Sequence, residues 1–384
     1  MPSQVIEMAR PNAVSRCARC VLPENYPKIR FDQRGVCNYC LSYKPIQYKG
    51  ESALRALLDA YRGRGKKYDC IVGVSGGKDS CFVLYEAVRK YNMRTLAMNY
   101  ESGFASAQAK QNIKNAIEAL GVDHVQIKSK RDIQQKCMKD EIEGWIRNSS
   151  SNVVPKLCRG CSEGFKHGGY RVSADLSVPL LLLGESQMEN ALFKKVLHTD
   201  AVLPYGKWLL TTLAKDPLHF HPRRVYHLFL LHMEFPPRRA GAMCCYDAMP
   251  WLAYRYIARG PKILQWFDYV PYDEKTIMST VARELKWEKP EDTASSWRFD
   301  CEIHALVDLM FMKRLGFSEK DELYSRMIRE GSLTRVEALK RLKADSMEEK
   351  AKLDASRRVL GKLALSGIES LLLHQTETAH SWFR

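Results

Sequence analysis

Two sets of residues in this 384-residue chain have both the type and the spacing for chemistry. The first is cysteine. Cys17 and Cys20 (CARC) are followed, after 16 residues, by Cys37 and Cys40 (CNYC). Each Cys-x-x-Cys pair can span one edge of a tetrahedron, so the four thiolates predict a zinc knuckle that folds a segment too small for a core of its own. A third pair, Cys158 and Cys161 (LCRGC), opens a predicted helix, and Cys301 (FDCEIH) lies well downstream. Thiolates bind soft metals, and a site of three cysteines leaves a coordination position vacant. Two other readings stay open for these three: a second zinc knuckle completed by Cys244 and Cys245, or small buried hydrophobes. Cys70, Cys81 and Cys137 fall at predicted core or helix positions, with no chemistry assigned.

The second set is the run Ser75, Gly76, Gly77, Lys78, Asp79, Ser80. Glycines let the backbone curl until several N–H groups face one anion, and a following helix adds the partial positive charge of its N-terminus. A phosphate fits there. The run is not a Walker A loop, which needs four residues between its first glycine and Gly-Lys-Ser/Thr, and the G-x-G-x-x-G dinucleotide pattern is absent.

These residues need a scaffold. YDCIVGVSGGKDSCFVLYEAVRKYNM reads as strand, glycine turn and helix; RTLAMNYES, AQAKQNIKNAIEALG and HVQIKS continue as strand, helix and strand. Alternation of this kind predicts a doubly wound parallel sheet. A helix around GCSEGFKHGGYRVSADL then leads into VPLLLLGES, whose unbroken apolar run suits a strand buried on both faces. Residues 51 to 66 predict a linker helix. The stretch from 200 to 260 mixes aromatics, histidines, prolines and arginines and is expected to be an irregular helical insertion. Its His219, His221, His227 and His232 lack metal spacing, and Arg223, Arg224, Arg238 and Arg239 could equally form an anion-binding rim or a solvated surface. From about 300 the chain is predicted helical, with two helices separated at Gly331.

Composition bounds the rest. With 45% hydrophobic and 27% charged residues, disorder and collagen-like structure are excluded. The absence of an apolar run of about 18 residues and of a secretory signal makes a cytoplasmic enzyme with no membrane partner the expectation. Twelve cysteines then argue for metal or sulfur chemistry over disulfides. Sixty basic against 44 acidic residues give a formal charge of +16, which points to an anionic partner, although basic stretches such as RVEALKRLKAD also read as solvated helix faces.

SGGKDS between a strand and a helix resembles the PP-loop of the N-type ATP pyrophosphatases, the adenine nucleotide alpha hydrolase superfamily. That resemblance implies cleavage of ATP between its α and β phosphates as a substrate oxygen attacks the α phosphorus, leaving an adenylate and pyrophosphate. Ser75, Gly76, Gly77 and Ser80 would hold pyrophosphate, Lys78 would neutralise the leaving group, and Asp79 would contact Mg²⁺ directly or through water. Asn99, at the end of the second strand, is a candidate for the adenosine side.

Over most of the chain, the knuckle, the loop and the tail (FMKRLGF, SRMIREGSLTRVEALKRL) resemble the N-acetyl sugar amidotransferases, in which ammonia from a partner glutaminase displaces AMP. GES at 184–186 is similar to that family's G-E-N element and makes Glu185 a substrate or metal contact, with a structural acid as the alternative. Two departures favour sulfur. Cys158 and Cys161 stand where the sugar enzymes carry no cysteine pair, and Cys301 where they tend to have a second aspartate. The trio is similar to the PP-loop tRNA thiolation enzymes, in which three cysteines hold a 4Fe–4S cluster with one open iron or carry persulfide.

The expected organisation is therefore a zinc-knuckle segment (1–48), a PP-loop domain (49–300) and a helical tail (301–384). The expected activity is ATP-dependent adenylation of a carbonyl or amide oxygen on an anionic substrate (a nucleotide, a tRNA or a nucleotide-linked sugar), followed by replacement of that oxygen with sulfur from a donor protein. Amidination with ammonia, and a basic nucleic-acid binder with a degenerate loop, are the alternatives. A homodimer is compatible with all three.

Overall fold

The computed structural model describes residues 15–129, 132–147, 157–189, 191–193, 260–290, 293 and 295–368. The insertion expected at 200–260, its histidines and arginines, and Cys244 and Cys245 lie outside them.

Five strands, β1 (Cys70–Gly73), β2 (Thr95–Glu101), β3 (Asp123–Lys128), β4 (Leu180–Leu183) and β5 (Lys262–Gln265), form one parallel sheet in the order β3-β2-β1-β4-β5. The register pairs Val72 with Ala97, Ile71 with Leu181 and Leu182 with Leu264. As expected, the fold is a doubly wound parallel α/β sheet with a helical C-terminal region. The all-apolar LLLL of β4 lies between β1 and β5, and three of its four residues are buried, as its composition requires. β5 had no counterpart in the sequence reading, because KILQ is short and follows the unreadable 200–260 stretch.

The crossover helices are α3 (Lys78–Tyr85, continued by a π-turn over Glu86–Lys90), α4 (Ala107–Leu120), α5 (Ile133–Arg147) and α6 (Arg159–Leu176), preceded by α1 (Asn38–Leu41) and α2 (Glu51–Tyr61). α7 (Glu274–Leu285) follows β5 and joins α3 and α4 on one sheet face, where Leu84, Ile113 and Val281 meet Val72 and Ala97. On the other face Phe165 and Val172 of α6 pack against Ile71, Met98 and Leu181. Capping fixes the lengths. Ser106 accepts from Ala109 N at the start of α4, and Gly121 closes it in the left-handed conformation.

The chain steps outward from β1 through β2 to β3, then returns across β1 to β4. The switch point between β1 and β4 opens a crevice at the carboxyl ends of the strands, the position where doubly wound sheets bind ligands.

The tail consists of α8 (Ile303–Leu315), α9 (Glu319–Arg329), α10 (Arg335–Met347) and α11 (Glu349–Lys362), with the predicted break at Gly331. α9 is polar in sequence yet buried from Glu319 to Met327. The knuckle covers it: Tyr26 donates to Glu322 at 2.7 Å, Arg16 pairs with Asp321 at 2.5 Å, and Val21 N donates to Ser325 Oγ at 3.2 Å. Knuckle and tail share one apolar cluster that includes the four knuckle cysteines, Leu306, Met310, Phe311 and Phe317. The RVEALKRLKAD face is less solvated than expected, because Arg335 donates to the carbonyls of Cys17 and Cys20 and Arg341 pairs with Glu274.

Candidate active site

The loop after β1 sits at the switch point. Gly76 has φ +86°, and a Cβ there would stand 2.2 Å from the carbonyl oxygen of Ala109, so the position excludes every other residue twice over. Its carbonyl is turned back into the protein, accepting from Asn112 Nδ2 at 3.2 Å and Trp287 Nε1 at 3.0 Å. The serines close the turn: Ser75 N donates to Ser80 Oγ at 3.1 Å and Gly77 N to Ser75 Oγ at 3.3 Å. Gly77 caps α3, whose first turn begins with Lys78 and Asp79. A hydroxyl that accepts from a loop amide marks a place where an anion oxygen can bind, with the helix N-terminus behind it.

Lys78 is 1% exposed, and its Nζ lies 3.1 Å from Asp79 Oδ2. Burial works against its charge, but the carboxylates of Asp79, Glu274 and Glu189 outweigh it and hold the ammonium protonated. Burial pushes the Asp79 carboxyl up while Lys78 pulls it down, and its buried Oδ1 has no hydrogen-bond partner among the described residues. Glu189 is pushed up to about 7, chiefly by burial, with Arg298 opposing and Asp79 reinforcing. Asp79, Glu189 and Glu274 thus crowd negative charge around Lys78. Tyr272 lies against the same carboxyl group, and the unpartnered oxygen of Asp79 is a donor that fits a divalent cation, which Asp79 would hold.

β4 delivers the opposite wall. A Cβ on Gly184 would stand 3.0 Å from the Asp79 carbonyl, so glycine lets the two loops touch. Glu185 is exposed at this mouth and accepts from Gln265 Nε2 at 3.1 Å. Asn99 is buried in β2 and its Oδ1 lies 2.7 Å from His124 Nε2, a tie to the edge strand β3.

The three downstream cysteines come to the same edge of the sheet. α6 runs antiparallel to the strands it connects, so its N-terminus, with Cys158 at the cap and Cys161 in the first turn, lies at their carboxyl ends. Cys301 arrives differently: residues 300–302 pair with 104–106 just beyond β2, through Ala105↔Cys301, Ser106 N to Asp300 O at 3.0 Å and Glu302 N to Phe104 O at 2.9 Å. Cys158 is exposed, while Cys161 and Cys301 are partly buried. Burial pushes the Cys161 thiol up to about 12 and Cys301 well above its ordinary value; Cys158 adds to both shifts, and Cys161 to that of Cys301. The structure brings the three to one end of the sheet without gathering their sulfurs within 4.8 Å of one another, as it does those of Cys17, Cys20, Cys37 and Cys40. Cys70, Cys81 and Cys137 are buried in β1, α3 and α5.

Asp300 escaped the sequence reading although it stands beside Cys301 in FDCEIH. A methyl group built on Gly77 would lie 3.5 Å from its Oδ2, which puts the carboxylate over the phosphate loop. Glu189, Glu274 and Arg298 were also missed, because each lies outside any motif and reaches the loop only through the fold.

No family model matches the chain. A stretch of 173 residues, 44% of the chain, is 25% identical to an uncharacterized protein of Methanocaldococcus jannaschii and spans 58% of that protein's length. Among solved structures, the U34-tRNA thiolase NcsA of Methanococcus maripaludis with its 4Fe–4S cluster superposes with a TM-score of 0.32 at 13% identity, covering 92% of this chain and 89% of its own. The NMN synthetase of Francisella tularensis gives a TM-score of 0.35 at 13% identity over 79% and 92%. Superpositions this loose match no residue to another, and the fold rests on the strand order and loop described above.

The knuckle is a second, separate centre. Its four sulfurs lie within 4.8 Å of one another, the one such group among the described residues, with Cys17–Cys40 at 4.0 Å and Cys20–Cys37 at 3.8 Å. A tetrahedron of zinc–sulfur bonds has edges of about 3.8 Å. Cys20 N and Cys37 N donate to Cys17 Sγ at 3.4 and 3.2 Å, as backbone amides do around a metal-bound thiolate. The donor set and its spacing fit zinc.

Proposed function

We propose that the chain is an ATP-dependent enzyme that adenylates a carbonyl or amide oxygen of an anionic substrate at the PP-loop and replaces that oxygen with sulfur at Cys158, Cys161 and Cys301. One observation supports the reading: Asp300 stands against Gly77 of the loop, and its neighbour Cys301 packs on the same apolar cluster as Cys161 of α6. Activation and sulfur delivery then belong to one crevice.

In the first step the substrate oxygen attacks the α phosphorus, and the bond to the β phosphate breaks. The amides of the Ser75–Ser80 loop receive the pyrophosphate, and the buried Lys78 ammonium neutralises charge as it leaves. Asp79, with its orphaned oxygen, would hold Mg²⁺, which supplies charge compensation between phosphates. Cys158, Cys161 and Cys301 would hold a 4Fe–4S cluster, which supplies an open iron for sulfide. Asn99 and Glu185 remain candidates for the nucleotide or substrate side. Zinc in the knuckle is structural, and the basic surplus is read as attraction for a nucleotide, a tRNA or a nucleotide-linked sugar.

Pyrophosphate release and thiolated product, assayed on anaerobically purified protein, separate the two steps. Lys78→Ala should lower pyrophosphate release by about 10²–10³-fold. Cys301→Ser should keep it and abolish thiolation. Turnover with ammonium and a nucleotide-linked sugar by a colourless protein would replace sulfur with amidination.

A further inference from the structure

α9 is packed on two sides, and the helical repeat keeps them apart. Asp321, Ser325 and Arg329, spaced four residues apart, form one stripe that meets the knuckle: Asp321 pairs with Arg16, Ser325 Oγ accepts from Val21 N at 3.2 Å, and Arg329 Nη1 donates to Cys20 Sγ at 3.9 Å. Glu319, Glu322 and Arg326 form a second stripe, toward the chain that follows β4. Arg326 donates to the carbonyl of Gln187, and Glu322 accepts from the amides of Leu192 and Phe193 at 2.7 and 3.2 Å. Glu319 lies 3.7 Å from Arg298, which pairs with Glu189 at 3.3 Å.

Glu322 is common to both sides. It is 2% exposed, and its carboxylate meets four donors: Leu192 N and Arg326 Nη2 on Oε1, and Phe193 N and the Tyr26 hydroxyl on Oε2. A buried carboxylate so tied cannot shift without leaving a donor unmatched, so knuckle, helix and the chain after β4 are held together. The rings of Tyr26 and the fully buried Phe193 add an edge contact at 6.2 Å. The chain held in this way carries Glu189, whose carboxylate feels the charges of Lys78 and Asp79 in the phosphate loop. At the other end, the four knuckle sulfurs fit zinc, and a metal-held segment loses its shape without the metal.

We propose that Glu322 is a positioning residue for the nucleotide site: through it, metal in the knuckle fixes the chain that carries Glu189, and knuckle metal and a nucleotide on the loop strengthen each other's binding. The proposal rests on the reading of the loop as a nucleotide site. Coupling of this kind is reciprocal, so it is readable from either end. A chain of contacts becomes a coupling only if both ends respond.

Metal affinity is read on the full chain as Co²⁺ binding, from thiolate-to-cobalt absorption, in a Cys158→Ser/Cys161→Ser background that removes the α6 pair from competition. A non-hydrolysable ATP analogue with Mg²⁺ should raise that affinity about fivefold. Tyr26→Phe deletes the hydroxyl that reaches Glu322 and keeps the ring, so the gain should fall below about twofold and the analogue should bind the metal-loaded variant about fivefold more weakly. Tyr39→Phe is the control: its hydroxyl donates to the Pro27 carbonyl at 2.6 Å inside the knuckle, so the full gain should remain. Tyr26→Phe combined with Glu322→Gln should be no worse than Glu322→Gln alone, because both break the same tie. Cobalt affinity that ignores bound analogue, a gain kept in Tyr26→Phe, or an equal loss in Tyr39→Phe overturns the coupling. Metal-loaded wild type that does not bind the analogue overturns the nucleotide reading of the loop instead.

Discussion

The knuckle and the crevice both gather cysteines, yet they do so in opposite ways. In the knuckle four sulfurs lie within 4.8 Å, each on a residue no more than 2% exposed, wrapped by Tyr26, Phe317 and the tail. At the carboxyl end of the sheet three cysteines graded from exposed to partly buried come from two separate segments. A closed tetrathiolate has no vacant position and works by holding the chain together. A partly exposed trio leaves room for a fourth ligand. Residue type alone does not decide what a cysteine does; the completeness of its surroundings does.

The largest expected effect would break this contrast outright if it failed. Cys37→Ser should release the knuckle metal and undock α9, costing about 4 kcal/mol or more, because the binding energy of a structural metal is folding energy. Cys161→Ser should stay within about 1 kcal/mol, since it deletes a thiol that supports no closed site. Thermal unfolding of both variants is the check, and equal losses of stability would mean that the two centres hold the fold alike. Next in size is the loop. Gly76→Ala forces a side chain into a left-handed position against Ala109, so about 3 kcal/mol of stability and pyrophosphate release should go together. Gly63 has φ +76° with nothing within 4 Å of its Cβ, so Gly63→Ala should cost about 1 kcal/mol and leave pyrophosphate release intact.

Much of this was legible in the sequence, for reasons that differ by region. The loop, its strand and its helix could be read because the chemistry is contiguous: Ser75 to Ser80 and the apolar run before them are local signals. The knuckle could be read from spacing, since Cys17, Cys20, Cys37 and Cys40 carry their geometry in their separations. Asp300, Glu189 and Arg298 could not, because the sheet's return crossover and the 104–106 pairing bring them to the loop from more than 100 residues away. The burial of α9 was hidden for a related reason. Its polar residues read as solvated, and only the docking of Arg16, Tyr26 and Val21 supplies the partners that permit their burial.

The smallest expected effect sharpens the same contrast through charge. Beneath the knuckle, Glu322 accepts from the Tyr26 hydroxyl and from the backbone amides of Leu192 and Phe193, a satisfied acid in a closed region. In the crevice, Glu189 has Arg298 at 3.3 Å but also Asp79 nearby, and burial leaves its carboxyl at about 7 against an ordinary 4.5. The raised value means that the folded protein binds this proton more tightly than the unfolded chain. Its contribution to stability is therefore fully present below about 4.5 and is lost as pH rises through about 7. Glu189→Gln removes the titration, so the variant should gain on wild type by about 2.5 kcal/mol between pH 5 and pH 8, read from urea unfolding at each pH without nucleotide. Parallel curves across that range would show that the crevice satisfies its acids as fully as the knuckle does, and the reserve of unbalanced negative charge assigned to a divalent cation would be gone. Convergence of the curves when Mg²⁺ and nucleotide are added would instead show that the cation takes up the charge that burial leaves on Glu189 and Asp79.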